Sequence, residues 1–342
     1  MMKKTLMLLA GVLMLAGSAS AQETAEQLFK SGKEAFAAYD KDLGVMQMNP
    51  DKVDKNLMAE NLLKGFADLE KALPLDSVKQ LNKDGSLKKI KTKYSKDIVP
   101  LLTSHINDLL TVGDNLYQEE KHAEASAVYD KYCQMIKSPM AVANNVPQPA
   151  DTIMGQIYFL KGLCDYNIKK HLEAFVAFDQ SEKYGFTGAL FGVKTSDYKA
   201  ACLASYLQTL LEKKDYTNAY ALLQKSIEQE PNNGTYVCMM GDVLSNDSTK
   251  TADEAINAYK KAIQLNPNYA EALYRAGYGL WKKVQEYLNA HPDATNEQAA
   301  PVIVPIYEEA LGYLEKAKAN GYSGTEAIIE NINYGLNILK QQ

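Results

Sequence analysis

Small residues recur at fixed distances from bulky ones along this chain of 342 residues. In the first copy, Gly113 is followed by Ala125 twelve residues later and by Tyr129 four residues after that. The same order returns in four further copies, with extra residues inside the last two: Gly162, Ala174 and Phe178; Leu207, Ala219 and Leu223; Gly241, Ala255 and Tyr259; Gly277, Ala310 and Leu314. Such an internal repeat restricts the chain to folds in which similar units stack on one another.

A pair of antiparallel helices explains these offsets. A small residue midway along the first helix and another early in the second let the two backbones approach closely where they cross. The bulky residue one turn later then fills the space beside them. One hairpin cannot bury its apolar face alone, so the pattern predicts an all-α stack of helix hairpins.

The spacings resemble the tetratricopeptide repeat, a pattern of about 34 residues. The most complete copy spans residues 234–269, where Gly241, Ala255, Tyr259, Ala262 and Pro267 occupy the expected positions. The resemblance extends over residues 98–322. It implies a right-handed α-solenoid of helix hairpins that binds proteins or peptides, and it implies no particular reaction.

The remaining segments are predicted to flank this array. We expect a degenerate N-terminal helical hairpin over residues 22–75 and a linker or turn over residues 76–97. About five irregular repeats follow over residues 98–323, and a C-terminal capping helix over residues 324–342. The lysine-rich part of the linker can be interpreted as a basic contact patch or as an ordinary solvated turn and helix face, and we favour the ordinary surface.

Insertions make the predicted array irregular. A Pro- and Asn-rich stretch over residues 138–152 and a Gly-rich stretch over residues 182–196 are predicted to be loops. The largest insertion lies inside the fifth hairpin, where we expect both helices to be extended. Pro301 is expected near the start of the second helix, and Pro305 is expected to kink or delay it.

The N-terminus has the features of a signal peptide. Lys3 and Lys4 precede an apolar run over residues 6–16, which is too short to span a bilayer. Ala19 and Ala21 match the small-residue cleavage pattern, so we expect cleavage after Ala21 and a periplasmic or secreted protein. The alternative is a retained membrane anchor. Since no later segment is long and apolar enough to span a bilayer, we expect no stable membrane insertion after cleavage.

The charge balance argues against nucleic acid as a partner. The chain has 37 Lys and Arg residues against 42 Asp and Glu residues, a formal charge of −5. No basic stretch with interleaved aromatic residues could follow a phosphate backbone. Arg275 is the only arginine, which argues against guanidinium recognition as a general strategy.

The sequence indicates a protein that is not an enzyme and holds no metal or cofactor. The four histidines fall in separate repeats, and no phosphate-binding glycine loop or nucleophile motif occurs. The four cysteines lie within helical patterns and form no CxxC pair. Buried thiols are the favoured interpretation of these cysteines, with a disulfide as the alternative.

The resemblance also implies a binding surface on the first helices of the hairpins. In the fifth copy the implied positions include Tyr274, Tyr278 and Trp281, which are spaced to share one helical face. The implied positions in this and two other copies are Glu271, Lys282, Phe159, Tyr166 and Asp242. The aromatic stripe could instead pack against the extended helix of its own hairpin. We predict a protein or peptide partner, with a small-molecule or glycan ligand as the alternative.

Overall fold

The backbone in this computed structural model, which describes residues 23–190 and 192–340, is mainly helical. The predicted signal peptide and its cleavage site lie outside the described residues. The helices are α1 (Ala25–Met48), α2 (Lys55–Leu75), α3 (Ser95–Ser104), α4 (Asp108–Gln118), α5 (His122–Ile136), α6 (Pro139–Ala143), α7 (Asp151–Asn167), α8 (His171–Lys183), α9 (Thr195–Glu212), α10 (Tyr216–Gln229), α11 (Gly234–Asn246), α12 (Ala252–Leu265), α13 (Ala270–Ala290), α14 (Asn296–Ala319) and α15 (Glu326–Lys340).

Two small antiparallel β-hairpins accompany the helices. The first joins β1 (Val78–Leu81) to β2 (Leu87–Lys91), and the second joins β3 (Ala189–Leu190) to β4 (Val193–Lys194). A single turn of 3₁₀-helix over Pro50–Lys52 separates α1 from α2.

The helices form two compact units, Met1–Ile168 and Lys169–Gln342. In the first unit, α1 packs against α2, α4 against α5, and α5 against α7. In the second unit, consecutive helices pack against one another in chain order from α8 to α15. The predicted all-α array of helix hairpins is confirmed, and consecutive pairing is the pattern expected of stacked hairpins that share their apolar faces.

Close approach at the glycines explains the repeated offsets. A methyl group added at Gly113 would lie 2.8 Å from Cε1 of Tyr129, and one at Gly277 would lie 2.7 Å from Cγ of Leu314. At Gly241 the added group would overlap the ring of Tyr259. In each case the crowding residue is the bulky member of the same copy. The glycine is therefore required because the bulky side chain already occupies the space that a Cβ would need.

A hydrogen bond accompanies this packing in two of the copies. The hydroxyl of Tyr129 donates to Oδ1 of Asp114 at 2.6 Å, and the hydroxyl of Tyr259 donates to Oδ1 of Asp242 at 2.8 Å. Each aspartate directly follows the glycine that its tyrosine crowds. The same tie between the two helices of a hairpin thus occurs once in each unit.

The fifth hairpin is extended, as predicted, with helices of 21 and 24 residues. Both Pro301 and Pro305 lie inside α14. The helix starts upstream of them, because Thr295 and Gln298 form a capping box in which the Gln298 amide donates to the Thr295 hydroxyl. The helix is therefore already established when it reaches Pro301.

The two stretches predicted as loops contain short regular elements. The Pro- and Asn-rich stretch includes α6, which starts at Pro139 and is capped by the hydroxyl of Ser138. Proline suits the first position of a helix, where its missing N–H has no intrahelical partner. The Gly-rich stretch includes the β3–β4 hairpin.

The linker predicted over residues 76–97 contains the β1–β2 hairpin. Its turn is closed by the Gly85 amide, which donates to the carbonyl of Asn82 at 3.0 Å, and by the Asn82 amide, which donates to the carbonyl of Ser86 at 2.8 Å. Gly85 has a φ of 83°, a left-handed conformation that favours glycine. The Asp-Gly dipeptide therefore reverses the chain between two strands rather than starting a helix.

The last helix caps the second unit. Ile332 and Leu336 of α15 are buried in a core that α12, α13 and α14 also line. Three further apolar residues of α15, Ile328, Ile329 and Leu339, pack at its edge. Across the described ranges, we find no helix with the combined length and hydropathy needed to cross a bilayer.

Candidate functional site

Four aromatic rings lie in a row beside α13, with the three tyrosine rings stacked and the Trp281 ring tilted by 33° against Tyr278. The ring of Tyr278 lies between Tyr274 at 5.8 Å and Trp281 at 5.6 Å, measured between ring centroids. Tyr322, from the segment between α14 and α15, stacks on the other side of Tyr274 at 4.3 Å. We call these four residues the aromatic ladder. All four are partly exposed, so the ladder presents ring edges and faces at the surface of the second unit.

One side of the aromatic ladder also belongs to the fold. The indole N–H of Trp281 donates to Oδ1 of Asn331 in α15 at 2.9 Å. Tyr274 and Trp281 pack against the core that includes Leu314 and Ile332. The two interpretations of the stripe, surface and core, therefore describe opposite sides of the same rings. Stacking and the Asn331 contact hold the rings in place before any partner arrives.

Beside the aromatic ladder, Arg275 bridges two carboxylates. Its Nε lies 3.4 Å from Oδ1 of Asp242 on α11, and its Nη2 lies 3.3 Å from Oε1 of Glu271 on α13. Burial raises the pKa of Asp242, although Arg275 acts in the opposite direction. Burial likewise opposes the charge of Arg275, but the two carboxylates outweigh it and raise its pKa. The side chain of Arg275 as a whole is 40% exposed.

The neighbouring helix contributes a polar margin. Ser245 and Asn246 are exposed near the end of α11, and each donates a side-chain hydrogen bond to the carbonyl of Asp242. Lys282 is exposed on α13, next to Trp281. We call the aromatic ladder with its polar neighbours the α11–α13 face. Its members are Asp242, Ser245, Asn246, Glu271, Tyr274, Arg275, Tyr278, Trp281, Lys282 and Tyr322.

The structure brings together most of the predicted site residues. Asp242, Glu271, Lys282 and the three aromatic residues of α13 all lie on the α11–α13 face. Two predicted positions lie in the first unit, on α7. Phe159 is only 5% exposed and Tyr166 is 37% exposed. Because its ring is buried, Phe159 is corrected from a surface residue to a core residue.

Tyr322 and Arg275 are members of the face that the repeat positions do not indicate. Tyr322 lies between helices, where helical spacing gives no information about its neighbours. Arg275 stood out as the only arginine, but its carboxylate partner Asp242 is 33 residues away and on a different helix. No repeat position indicates such a pairing, and only the packing of α11 near α13 brings it about.

A shallow cleft of about 450 Å³ lies elsewhere, on α1 of the first unit. Phe29 stacks on Tyr94 at 4.9 Å within it. The other lining residues are Ala37 and the charged residues Glu26, Lys30, Lys33 and Glu34. The cleft is open to solvent and has long charged side chains of both signs along it, which is ordinary for a helix surface. It contains none of the predicted site residues.

Within residues 23–190 and 192–340, no three His, Cys, Asp or Glu side chains are placed to hold a metal ion. All four cysteines are buried as thiols. Burial raises the pKa of Cys133 to about 11 and that of Cys164 to about 12, which suppresses the reactive thiolate.

Comparisons with known proteins identify the repeat. Residues 252–284 match the family model of the TPR, or tetratricopeptide, repeat. This match covers α12 and the part of α13 that carries Tyr274, Tyr278 and Trp281. No curated protein matches the chain.

Several solved structures are similar to this chain at low identity. YrrB, described as a TPR protein with an unusual peptide-binding site, is 17% identical over 67% of this chain and 97% of its own, with a TM-score of 0.36. A TPR repeats protein from Bacteroides fragilis NCTC 9343 is 19% identical over 68% of this chain and 98% of its own, with a TM-score of 0.37. The TPR2AB domain of yeast Sti1, in a complex with pHSP90, is 11% identical over 93% of this chain and 98% of its own, with a TM-score of 0.27.

Proposed function

We propose that this chain, a tetratricopeptide-repeat protein, is a non-catalytic scaffold that binds a protein or peptide on its α11–α13 face. The observation that carries the proposal is the aromatic ladder, in which three stacked tyrosine rings and the tilted Trp281 ring are partly exposed and flanked by charged side chains. Aromatic residues and arginine are the types that most often dominate binding energy at protein interfaces. Here Arg275 lies on α13 beside three of the four rings.

The fixed arrangement of the rings favours binding. A partner that contacts Tyr278 meets a ring held between Tyr274 and Trp281, so little rotamer freedom remains to be lost. The charged residues of the face are two acids, Asp242 and Glu271, and two bases, Arg275 and Lys282. Because these charges balance, we expect the face to bind an apolar or aromatic side chain of a peptide with polar neighbours, and to do so with weak dependence on salt.

The residue that tests this surface is Tyr278. Trp281 is unsuitable, because its hydrogen bond to Asn331 and its packing against the core give its replacement an effect on folding. For Tyr278→Ala we expect an unchanged helical content and a partner affinity reduced about 30-fold, the effect of losing an anchor worth about 2 kcal/mol. Tyr334→Ala is the matched control, since Tyr334 is 69% exposed on α15 and lies outside the face.

The experiment has two steps. A photo-crosslinking residue at position 282 captures the partner in cells, with position 225 on α10 as the comparison. The captured protein, or a peptide from it, is then purified and its affinity for the two tyrosine variants is measured by calorimetry. Equal affinity for Tyr278→Ala and Tyr334→Ala would contradict the proposed surface. Capture from position 225 but not from 282 would place the binding surface elsewhere.

A glycan ligand is the rival function, because sugar rings also stack on exposed aromatic side chains. The same calorimetry with a panel of oligosaccharides separates the two proposals. Heat of binding from oligosaccharides that disappears in Tyr278→Ala, with none from the captured peptide, would favour the glycan.

We also propose that the protein acts outside the cytoplasm, in the periplasm or after secretion. The support for this is the basic, apolar and small-residue order of the first 21 residues. Expressed with its own N-terminus in a bacterium, the protein is expected to lose these residues on export, and the mass of the purified protein measures this. Replacing Ala19 and Ala21 by Glu should cause the uncleaved precursor to accumulate. A purified protein that keeps Met1, or precursor levels unaffected by these replacements, would contradict the proposal.

A further inference from the structure

The β1–β2 hairpin stands away from the helices of the first unit. Its strands pack mainly against each other, and every residue from 81 to 93 is exposed. Isolated two-stranded hairpins are at best marginally stable in water, and natural sheets usually cover an apolar face. This hairpin is an exception to that rule, and a further surface would be needed to cover its apolar residues.

The base of the hairpin is held in place by Asp76. Its carboxylate accepts hydrogen bonds from the backbone amides of Lys93, Tyr94 and Ser95 at 2.8 to 3.0 Å. The hydroxyl of Ser95 donates a further bond at 2.7 Å. These bonds hold the pKa of Asp76 below its usual value, against the effect of burial. The hairpin is thus fixed to the end of α2 as a defined element.

One face of the hairpin is mainly apolar. The register pairs Leu81 with Leu87 and Lys79 with Ile90, with an irregularity between Gln80 and Leu81. Because Lys79 and Leu81 are alternate residues of one strand, their partners lie on the same face as they do. That face therefore carries Lys79 together with Leu81, Leu87 and Ile90, and these three apolar residues are 59%, 53% and 54% exposed. We call it the hairpin face.

The same short segment is strongly basic. Residues 78–91 contain one acid, Asp84, and five lysines, so the segment has a net charge of +4 in a chain whose total is −5. The lysines are Lys79, Lys83, Lys88, Lys89 and Lys91. Among the described residues, none of the five forms an ion pair with a carboxylate. Their charge is therefore available to an anionic partner.

We propose that the hairpin face binds the surface of a lipid bilayer that contains anionic lipids. Aliphatic side chains surrounded by lysines are typical of segments that lie in the membrane interface, with the apolar groups among the acyl chains and the ammonium groups at the headgroups. Protein interfaces have a different composition. They are depleted in lysine, and their strongest contacts come from tryptophan, tyrosine and arginine, all of which residues 78–91 lack. A protruding hairpin without a pocket also fits a broad, deformable surface.

Vesicle co-sedimentation tests this proposal. We expect the protein to bind vesicles of phosphatidylglycerol and phosphatidylcholine about 10-fold more than vesicles of phosphatidylcholine alone, and the difference to shrink as salt is raised. All variants carry the same N-terminus, so any contribution of residues 6–16 is common to them.

Two triple variants separate the apolar and the charged contributions. Leu81→Ser, Leu87→Ser and Ile90→Ser together should reduce binding to anionic vesicles at least 10-fold, because three apolar groups no longer enter the interface. Lys88→Gln, Lys89→Gln and Lys91→Gln together should remove the preference for anionic lipid.

Each triple variant has a matched control. The controls are Val142→Ser, Ile153→Ser and Val176→Ser for the apolar set, and Lys213→Gln, Lys225→Gln and Lys261→Gln for the charged set. These six residues are also exposed but lie outside the hairpin.

Thermal unfolding keeps the comparison interpretable. Because the hairpin packs mainly on itself, both hairpin variants should unfold at the temperature of the unmodified protein.

Vesicle binding that is the same in the hairpin variants and in the controls would overturn the proposal. Binding to an acidic polypeptide such as polyglutamate, without binding to anionic vesicles, would overturn it in favour of a protein partner. Tyr278→Ala should bind vesicles normally, since the α11–α13 face and the hairpin face belong to different units.

Discussion

Gly277→Ala should destabilise the second unit by about 1–3 kcal/mol, the usual effect of adding an atom to a packed core. The added Cβ would lie 2.7 Å from Cγ of Leu314 and 3.0 Å from the carbonyl oxygen of Ala310. Leu314 is fully buried, and the second neighbour is backbone, so neither has room to move away. The higher helix propensity of alanine offsets only about 1 kcal/mol of this cost. Urea denaturation followed by circular dichroism measures the change.

Gly312→Ala, on the second helix of the same hairpin, should have the opposite effect on stability. Gly312 is exposed in the middle of α14, and an added Cβ there would have no neighbour within 4 Å. Only the helix propensity changes, so this variant should be more stable by about 0.5–1 kcal/mol. If the two variants shifted the unfolding midpoint in the same direction, close approach at Gly277 would not be the reason for the glycine.

Lys199→Met should destabilise the second unit by about 3 kcal/mol. The side chain of Lys199 is only 4% exposed, and its ammonium lies 2.8 Å from Glu182, 3.1 Å from Asp179 and within hydrogen-bond reach of Glu230. Removing one partner of a buried ion pair costs about 3–5 kcal/mol, because the remaining charges lose their compensation. We expect the lower end of that range, since Glu230 is 38% exposed and solvent screens it.

The effect of Lys199→Met should depend on pH. Burial raises the pKa of Asp179 and of Glu230, but hydrogen bonds and charge from lysines, Lys199 among them, outweigh it and hold both pKa values below their usual range. The unfolded carboxyls titrate at about 3.9 and 4.3. The stabilisation is therefore fully present above those values and is lost as the pH falls through the lower folded values. The stability difference between the two proteins should shrink in acid.

Lys183→Met is the matched control for Lys199. Lys183 also pairs with Asp179, but its side chain is 50% exposed. Exposed pairs contribute about 0–1 kcal/mol, so this variant should be close to the unmodified protein at every pH. Equal losses from Lys183→Met and Lys199→Met would show that burial of Lys199 has no energetic importance. Denaturation curves between pH 3 and pH 7 provide the measurement.

The helix hairpins could be predicted because the packing of each one depends on residues of the same copy. Gly113 with Tyr129 is recognisable from its spacing, since Gly162 and Phe178 are separated by the same distance along the chain. The stripe of Tyr274, Tyr278 and Trp281 was likewise predictable from helical periodicity. Contacts between copies were not predictable in this way. The pairing of Trp281 with Asn331 spans 50 residues and depends on the angle at which α15 packs.

The β1–β2 hairpin was missed for a different reason. The Asp84-Gly85 dipeptide is a hairpin signal, but the strands beside it have only four and five residues. Lysines occupy many of their positions and obscure the alternation of apolar and polar residues. The composition therefore suggested an ordinary surface, whereas the register places three of the four apolar residues of the strands on one side.

The hydrogen bond between tyrosine and aspartate recurs in the two units, but the two aspartates differ in their other contacts. At Asp114 it ties Tyr129 to the preceding helix. Asp242 accepts the same hydrogen bond from Tyr259. Its carboxylate also forms an ion pair with Arg275, the only arginine in the sequence. An aspartate that only joins two helices in one copy thus also forms an ion pair with a third helix in another. Copies of a repeat can therefore diverge without a new residue at an exposed position, because a side chain that already joins two helices can gain a further contact from the next hairpin.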